Sequence, residues 1–562
     1  MRYSCCESDS AVEPVTTMRR RRSPSSGGLL ALVVLAATAL PGAGHAQQDC
    51  PGGRDWVLTN GRILTVDAAG LTVGTVRIRG ERIVAVGESF DSTEPCIRVV
   101  DLNGRTVIPG LIDSHTHFVR TAQAPGPFID GLEAAGSIAE LRAALEAAAR
   151  RAEPGQWLAA IGGFTPNQFA ERRLPSRAEL SAAVPDNPVY MQIGYSGRGI
   201  TNDVGRSVLA EAGIDVSQDG FVSAGGDALN FVLRSRTDER MKRRFAEYVN
   251  YAMSLGLTSA VDHACCDWLG AHLADEDRPN MRIVESIWRS GQLPLRLRIQ
   301  YDHRDIRDQD DIRSVTARLA NATYGLGDDM YKAVRLGERV IADDATDEEV
   351  FEVYLRAARA HWPLSQHTIR EDEIERYLRI MERVAERAPL AGLRWTLEHV
   401  FEITPDQIER LKAIGVSVRV QDHDYIRNES TSWRAGPPFR TLLESGIPMG
   451  AGSDSGVVGP LNPWLSIYYM VTGRDAGGEV IIPGEQIGRE DALRLYTAAN
   501  AWFNFEEAEL GSIEVGKLAD LVVLDRPYLD VADDEIRRIR SLLTMIGGRI
   551  VHAREPYGRL AE

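Results

Sequence analysis

The sequence predicts an α/β architecture, an eight-stranded parallel barrel beside a small β domain built from both ends of the chain. Three observations predict it. Between about residues 111 and 503, short apolar runs alternate with helical patterns, the signature of βα units and a parallel sheet. The stretches on either side are rich in strand patterns. Residues able to do chemistry recur where the apolar runs end, the face on which such barrels carry their sites.

At 562 residues the chain can bury one large core plus a satellite domain. Its formal charge is −16, and residues 1–46 hold five arginines against three acidic residues, so the remainder carries −18. So acidic a body repels phosphate backbones and has no basic stripe to override the repulsion, which argues against nucleic acid as a partner. A small-molecule substrate is expected instead.

Residues 1–46 read as an export signal. Arg19 to Arg22 form a basic segment, Leu29 to Leu40 an apolar one, and Gly44 and Ala46 supply small residues before a cut at Gln47. The protein is therefore expected to be periplasmic or secreted. The apolar run is too short for a comfortable span, so no stable membrane anchor is expected. Sec and twin-arginine export both stay open. Cys50 and Cys96 flank the first β-rich segment and can close it in an oxidising compartment.

Residues 47–110 supply the first part of the β domain. Val57-Leu58-Thr59 and Arg62 to Val66 flank Asn60-Gly61, a hairpin signal, and Val76 to Arg79 and Arg82 to Val86 bracket a turn at Gly80-Glu81. Residues 504–562 repeat the pattern in Lys517 to Leu524 and Met545 to Val551. Neither end is long enough for a good core alone, so the two are expected to form one domain.

In the middle, the runs are Trp157–Ile161, Pro188–Ile193, Thr258–Val261, Leu295–Ile299, Tyr331–Leu336, Pro363–Ser365, Arg394–Leu397, Val416–Val420 and Ile447–Gly450. Helices between them are well signalled: Thr404 caps one, Pro405 takes its first turn, Ile408, Leu411 and Ile414 form its apolar face and Gly415 ends it. Residues 125–235, rich in Gly, Pro and Ala, read as the largest insertion in the 111–503 barrel.

The run Leu111-Ile112-Asp113-Ser114 leads to His115 and His117, which a side-chain period of two points the same way. Other runs lead through Gly337 to Glu338, through Gln366 to His367, through Glu398 to His399 and through Gly452-Ser453 to Asp454. Four histidines and two carboxylates at five strand ends suit two metal ions with a water between them. His263 and His423 face either the pocket or a hydrogen-bonded core. Arg198 either reads a substrate carboxylate or pairs with an acidic surface. Cys265, Cys266, Trp268, Phe164 and Trp433 read more simply as packing.

At these residues the sequence resembles the amidohydrolase superfamily, and more narrowly its amidohydrolase-3 branch, which includes N-substituted formamide deformylase-like proteins. The resemblance rests on Val107 to His117, Glu398-His399, Gly452-Ser453-Asp454, Tyr496-Thr497 and Gly511 to Leu524. It implies a metal-dependent (β/α)8 TIM barrel with a β-sandwich from both chain ends. It implies that His115 and His117 bind a buried ion, His367 and His399 an outer one, and that Asp454 contacts the buried ion and acts as base. Many relatives bridge the ions with a carboxylated lysine. Here Lys332 opens its run and belongs at the barrel's far end, so the bridge is assigned to Glu338. A second departure is at Tyr195-Ser196-Gly197-Arg198, where relatives often carry a histidine.

The implied reaction is hydrolysis of a non-peptide C–N bond (amide, N-acyl or N-formyl) by a metal-activated hydroxide. The same donors also suit a deaminase, a decarboxylase, or an esterase or lactonase, and a non-catalytic exported binding protein is the remaining alternative. Zinc is the first expectation for the divalent ions, with manganese, iron and nickel also compatible with these ligands. Neither the substrate nor the oligomeric state is legible.

Overall fold

The computed structural model describes residues 55–560 apart from 90–95, 195–196, 223–226, 266–279, 302–311, 314, 317–318, 321–323, 428–430 and 457. The export signal, Cys50, Cys266 and Trp268 lie outside these residues. Cys96 is disulfide-bonded. No helix among the described residues is long and apolar enough to cross a membrane.

The protein is an α/β structure organised around eight strands. We label them β1 (Leu111–Thr116), β2 (Leu257–Cys265), β3 (Arg296–Tyr301), β4 (Tyr331–Leu336), β5 (Ser365–Thr368), β6 (Thr396–His399), β7 (Ser417–Gln421) and β8 (Met449–Gly452). They form two four-stranded sheets, β4-β3-β2-β1 and β5-β6-β7-β8, and every pairing is parallel. Parallel bridges join the sheets along both edges, Leu336 to Leu364 and Thr116 to Ser455. All eight strands therefore end on one side, where residues just beyond each terminus can meet.

Helices connect the later strands as the caps foretold. In Pro405–Ile414, Thr404 accepts from the Gln407 backbone, Gln407 returns a bond to the Thr404 N–H, and Gly415 closes the end at φ 76°. Asp347–Arg359 begins with the same reciprocal box between Thr346 and Glu349. Val350, Tyr354, Leu378, Leu397 and Val418 are buried in the core between helices and sheet.

The chain ends share a sheet, because Thr106–Pro109 pairs antiparallel with Leu521–Leu524 and parallel with Arg62–Leu64. Val107, Leu521, Val523 and Leu543 join one buried cluster there. The sequence reading of Asn60-Gly61 as a hairpin is corrected. Asp55–Thr59 pairs with Thr75–Arg79 and Ile97–Asp101 in a different sheet from Arg62–Leu64. Asn60 does adopt a positive φ of 54°, but the turn hands the chain from one sheet to the other. Gly80-Glu81 is a true hairpin turn, with Arg79 opposite Arg82.

Two of the nine runs also move. Leu158–Ile161 and Val189–Gln192 belong to a separate four-stranded sheet between β1 and β2, completed by Gly199–Thr201 and Phe221–Val222. Its own cores gather Leu158, Val189 and Met191 on one side and Trp157, Tyr190 and Leu209 on the other. Apolar runs report burial but not which sheet does the burying, so periodicity alone could not separate these strands from the eight.

Candidate metal centre

The histidines and carboxylates at the strand ends converge. His115 is the penultimate residue of β1 and His117 follows the strand on the same face, as the period of two requires. Their Nε2 atoms lie 3.6 and 3.1 Å from Asp454 Oδ1, beyond the end of β8. Glu338, two residues past β4, reaches between the groups. Its Oε2 is 2.9 Å from His367 Nδ1, 3.1 Å from His399 Nε2 and 3.8 Å from His115 Nε2, and its Oε1 is 4.0 Å from His117 Nε2. His367 Nδ1 and His399 Nε2 are themselves 2.9 Å apart. Lys332 lies away from this cluster, paired with Glu506 at 3.1 Å.

Simple alternation along β6 would send Glu398 and His399 to opposite faces. His399 instead takes a left-handed backbone, φ 69°, as does Asp454 at φ 50°. Such conformations are costly for non-glycine residues and cluster at functional sites. Here the backbone reversal turns His399 toward Glu338, while Glu398 remains inside the strands.

The proton-bearing sides of the His115 and His117 rings are engaged from behind. His115 Nδ1 meets Glu398 Oε2 at 2.9 Å, and His117 Nδ1 meets the His263 carbonyl at 3.1 Å. Placing the protons on these Nδ1 atoms satisfies both acceptors and leaves the Nε2 lone pairs facing Glu338 and Asp454. The buried His115 Nε2 has no hydrogen-bond partner among the described residues. An orphaned lone pair facing two carboxylates fits a cation. His115, His117 and Asp454 offer ligand atoms within 4.8 Å of one another, as do His115, Glu338 and His399. This donor set of imidazoles and carboxylates suits a divalent metal ion.

Electrostatics agree. Burial opposes ionisation of Glu338, but His367, His399 and His115 hold its carboxyl well below the usual range. Burial likewise works against Asp454, and His115, His117 and His423 more than offset it. Both carboxylates are ionised at neutral pH. Burial pulls the His115 pKa down, yet Asp454, Glu398 and Glu338 bring it above the ordinary value. For His399 and His423, burial wins and the pKa falls.

The remaining sequence candidates separate. His423 joins the cluster, with Nε2 2.7 Å from Asp454 Oδ2 and its ring against Phe401 and Trp433. His263 is a hydrogen-bonded core histidine. It stacks on His115 at 3.6 Å between centroids, with Nε2 on the Ser114 carbonyl and Nδ1 by Gln300. Both nitrogens are engaged, so the substrate-contact alternative loses its free edge. Arg198 is exposed, its guanidinium 3.8 Å over the Phe221 ring in the insertion. Phe164 is buried in the insertion's own core.

A layer beneath the histidines is not legible in the sequence. Arg419 on β7 donates to Glu398 Oε1 at 2.9 and 2.7 Å, to the Ser114 carbonyl and to Gln300. Asp113 accepts from Ser453 Oγ at 2.6 Å and from the backbone of Ser453 and His115, tying β1 to β8. Gly452 lets these strands approach: a Cβ there would lie 2.5 Å from the His115 backbone nitrogen. Gly452→Ala is therefore expected to force β1 and β8 apart, at roughly 1–3 kcal/mol of overpacking. Metal content and denaturant stability measured together should both fall, and a variant with natural values for both would contradict this geometry.

A family model described as the amidohydrolase family matches residues 98–552. N-substituted formamide deformylase of Arthrobacter pascens is 24% identical over 545 residues, covering 89% of this chain and 99% of that protein. An uncharacterized metal-dependent hydrolase from Pyrococcus horikoshii has a similar fold, with TM-score 0.57 and 19% identity over 85% of this chain and 99% of that one. Atrazine chlorohydrolase from Arthrobacter aurescens, solved with zinc, matches at TM-score 0.53 and 15% identity over 89% of this chain and 95% of that one.

Proposed function

The chain belongs to the amidohydrolase family and is a hydrolase of non-peptide carbon–nitrogen bonds; from that premise we propose that it cleaves an N-acyl or N-formyl amide at a centre of two divalent ions. The observation that carries this reading is the meeting of His115, His117, Glu338, His367, His399 and Asp454 from five strand ends. His115, His117 and Asp454 would hold one ion, His367 and His399 the other, with Glu338 between them. Zinc is the ion we favour. The similarity to an N-substituted formamide deformylase supports the formyl or short acyl group. The eight parallel strands and their two edge bridges support a closed (β/α)8 barrel over 111–503, with 125–235 inserted. The shared sheet of residues 47–110 and 504–562 supports a β-sandwich from both ends. Export after cleavage near Ala46 rests on the basic and apolar segments alone.

When bound, a divalent ion supplies Lewis acidity to a carbonyl oxygen and brings the pKa of water down toward about 7. The chain's own residues supply the rest. Asp454, ionised and held through Oδ2 by His423, presents Oδ1 to the histidine side. It takes the proton of the attacking water and delivers it to the departing nitrogen, so the carbonyl–nitrogen bond breaks with an acid and an amine as products. Glu398 and the His263 carbonyl fix the His115 and His117 rings, which keeps both Nε2 lone pairs directed inward.

Elemental analysis of the purified protein, followed by a screen of N-formyl and N-acyl compounds, tests the reading. We expect divalent metal in near-stoichiometric amount, with activity lost on chelation and regained on adding zinc back. Full activity in thoroughly chelated protein would refute it. Release of ammonia or carbon dioxide in place of an amine and an acid would move the assignment to deamination or decarboxylation.

A further inference from the structure

His423 is held differently from the paired histidines at the end of β1. It stands two residues past β7, with Nε2 2.7 Å from Asp454 Oδ2. An ionised carboxylate only accepts, so Nε2 carries the proton and donates it. His115 and His117 are fixed from behind, through Nδ1 against Glu398 and against the His263 carbonyl. His423 Nδ1 is buried and has no hydrogen-bond partner among the described residues. A single bond at one edge does not fix the plane of an imidazole, so the direction of this ring must come from what packs against it.

The ring meets His399 at 4.7 Å between centroids, stacks on Phe401 at 5.1 Å and 28°, and meets Trp433 at 6.3 Å and 67°. Phe401, two residues past β6, is buried and contacts Trp433 at 5.8 Å, so the imidazole and both aromatic rings close on one another.

Trp433 follows β7 in the chain, and the group that anchors it is the neighbour of His423. The Asp424 side chain is 0% exposed. It accepts from Trp433 Nε1 at 3.2 Å, from Arg427 Nη1 at 2.9 Å and from the Gly436 N–H at 2.9 Å. Arg427 Nη2 donates to the Trp433 carbonyl at 2.6 Å, which ties the tryptophan at its backbone as well as at its indole. Gly436 completes the fit, since a Cβ there would lie 2.8 Å from the Phe401 carbonyl.

We propose that Trp433 is a positioning residue for the hydrolysis: anchored by Asp424, it holds the His423 ring on Asp454 and so aims the carboxylate that moves the proton. The inference rests on the amide-hydrolase reading and extends its machinery to a tryptophan outside the donor set. Supporting groups of this kind matter because a small misplacement of a proton-transfer group is costly in rate.

The test uses the full chain with zinc restored and an amide found by the screen above. It compares the natural protein with Trp433→Ala, Trp433→Phe, His423→Gln and the double variant of His423→Gln with Trp433→Ala. We expect Trp433→Ala to lower kcat by about tenfold or more while KM stays within about twofold. Trp433→Phe, which keeps a ring against His423, should recover most of the loss. In the His423→Gln background the loss from Trp433→Ala should shrink to within about twofold, because the residue it works through is gone. A rise in KM at unchanged kcat would make Trp433 a substrate contact, and equal losses in both backgrounds would make it independent of His423. Either result overturns the proposal, as do natural kinetics in Trp433→Ala.

Proton NMR of the zinc-loaded protein with 15N-labelled histidine needs no substrate. We expect a downfield Nε2–H signal, identified by its absence in His423→Gln, that exchanges slowly with water in the natural protein and in Trp433→Phe but rapidly in Trp433→Ala. If no amide is turned over, the amide-hydrolase reading fails and this signal still decides the positioning role. Faster exchange in Trp433→Ala supports it, and unchanged exchange, or no such signal in the natural protein, overturns it.

Discussion

Asp454→Asn is expected to lower kcat by at least about 10²-fold, the usual contribution of a positioned acid–base group, while most of the metal stays bound. The substitution is nearly isosteric and keeps an oxygen able to face His115 and His117, so the ligand geometry survives. What is lost is the ionised carboxylate that receives a proton. The contact with His423 Nε2, 2.7 Å in the natural protein, can persist with the amide as donor. Metal analysis and single-turnover kinetics on one preparation separate the two effects. Near-natural turnover would remove Asp454 from proton transfer, and loss of metal in parallel with rate would reduce it to a ligand.

The second large effect concerns stability. Glu398 and Arg419 form an ion pair in which both side chains are 0% exposed. Glu398→Ala strands the guanidinium among Ser114, Gln300 and the strand interiors, and breaking such a pair from one side costs about 3–5 kcal/mol. Burial opposes ionisation of Glu398, but Arg419 and His115 hold its carboxyl far below the usual range, so Glu398 stays ionised across the working pH range. The same change releases His115 Nδ1, and losing the partner behind a ligating imidazole lowers metal affinity by about 10–100-fold. Urea denaturation and competitive zinc titration measure the two losses. A variant within about 1 kcal/mol of the natural protein would show that the buried pair adds little to stability.

The polar ends of the strands were legible because their signals are local. A β-branched run, then two histidines at a period of two, specifies the direction of His115 and His117 without reference to any other strand. Glu338, His367, His399 and Asp454 each follow an apolar run in the same way, and Lys332 could be assigned to the far end because it opens its run. Capping chemistry around Thr404, Pro405 and Gly415 is equally local. What the sequence hid is non-local. Arg419, Gln300 and Glu398 sit on three strands and form one network only through their neighbours in space. For His263 the sequence leaves pocket and hydrogen-bonded core equally open, and only its stacking on His115 and two engaged nitrogens make it a support. The turn at Asn60-Gly61 misled for a related reason: its residues specify a reversal in backbone conformation but not the identity of the strand that pairs next.

The sheet shared by the chain ends has a consequence for biosynthesis. Thr106–Pro109 runs directly into the strand bearing His115, and its antiparallel neighbour, Leu521–Leu524, leaves the ribosome only after all eight strands of the site. Pairing across so much intervening polypeptide is slow to close and gains nothing until both partners exist. Synthesis must therefore pass Leu524 before the base of β1 is pinned, and a product truncated ahead of Leu521 would own every imidazole of the centre yet lack the brace that holds two of them in place.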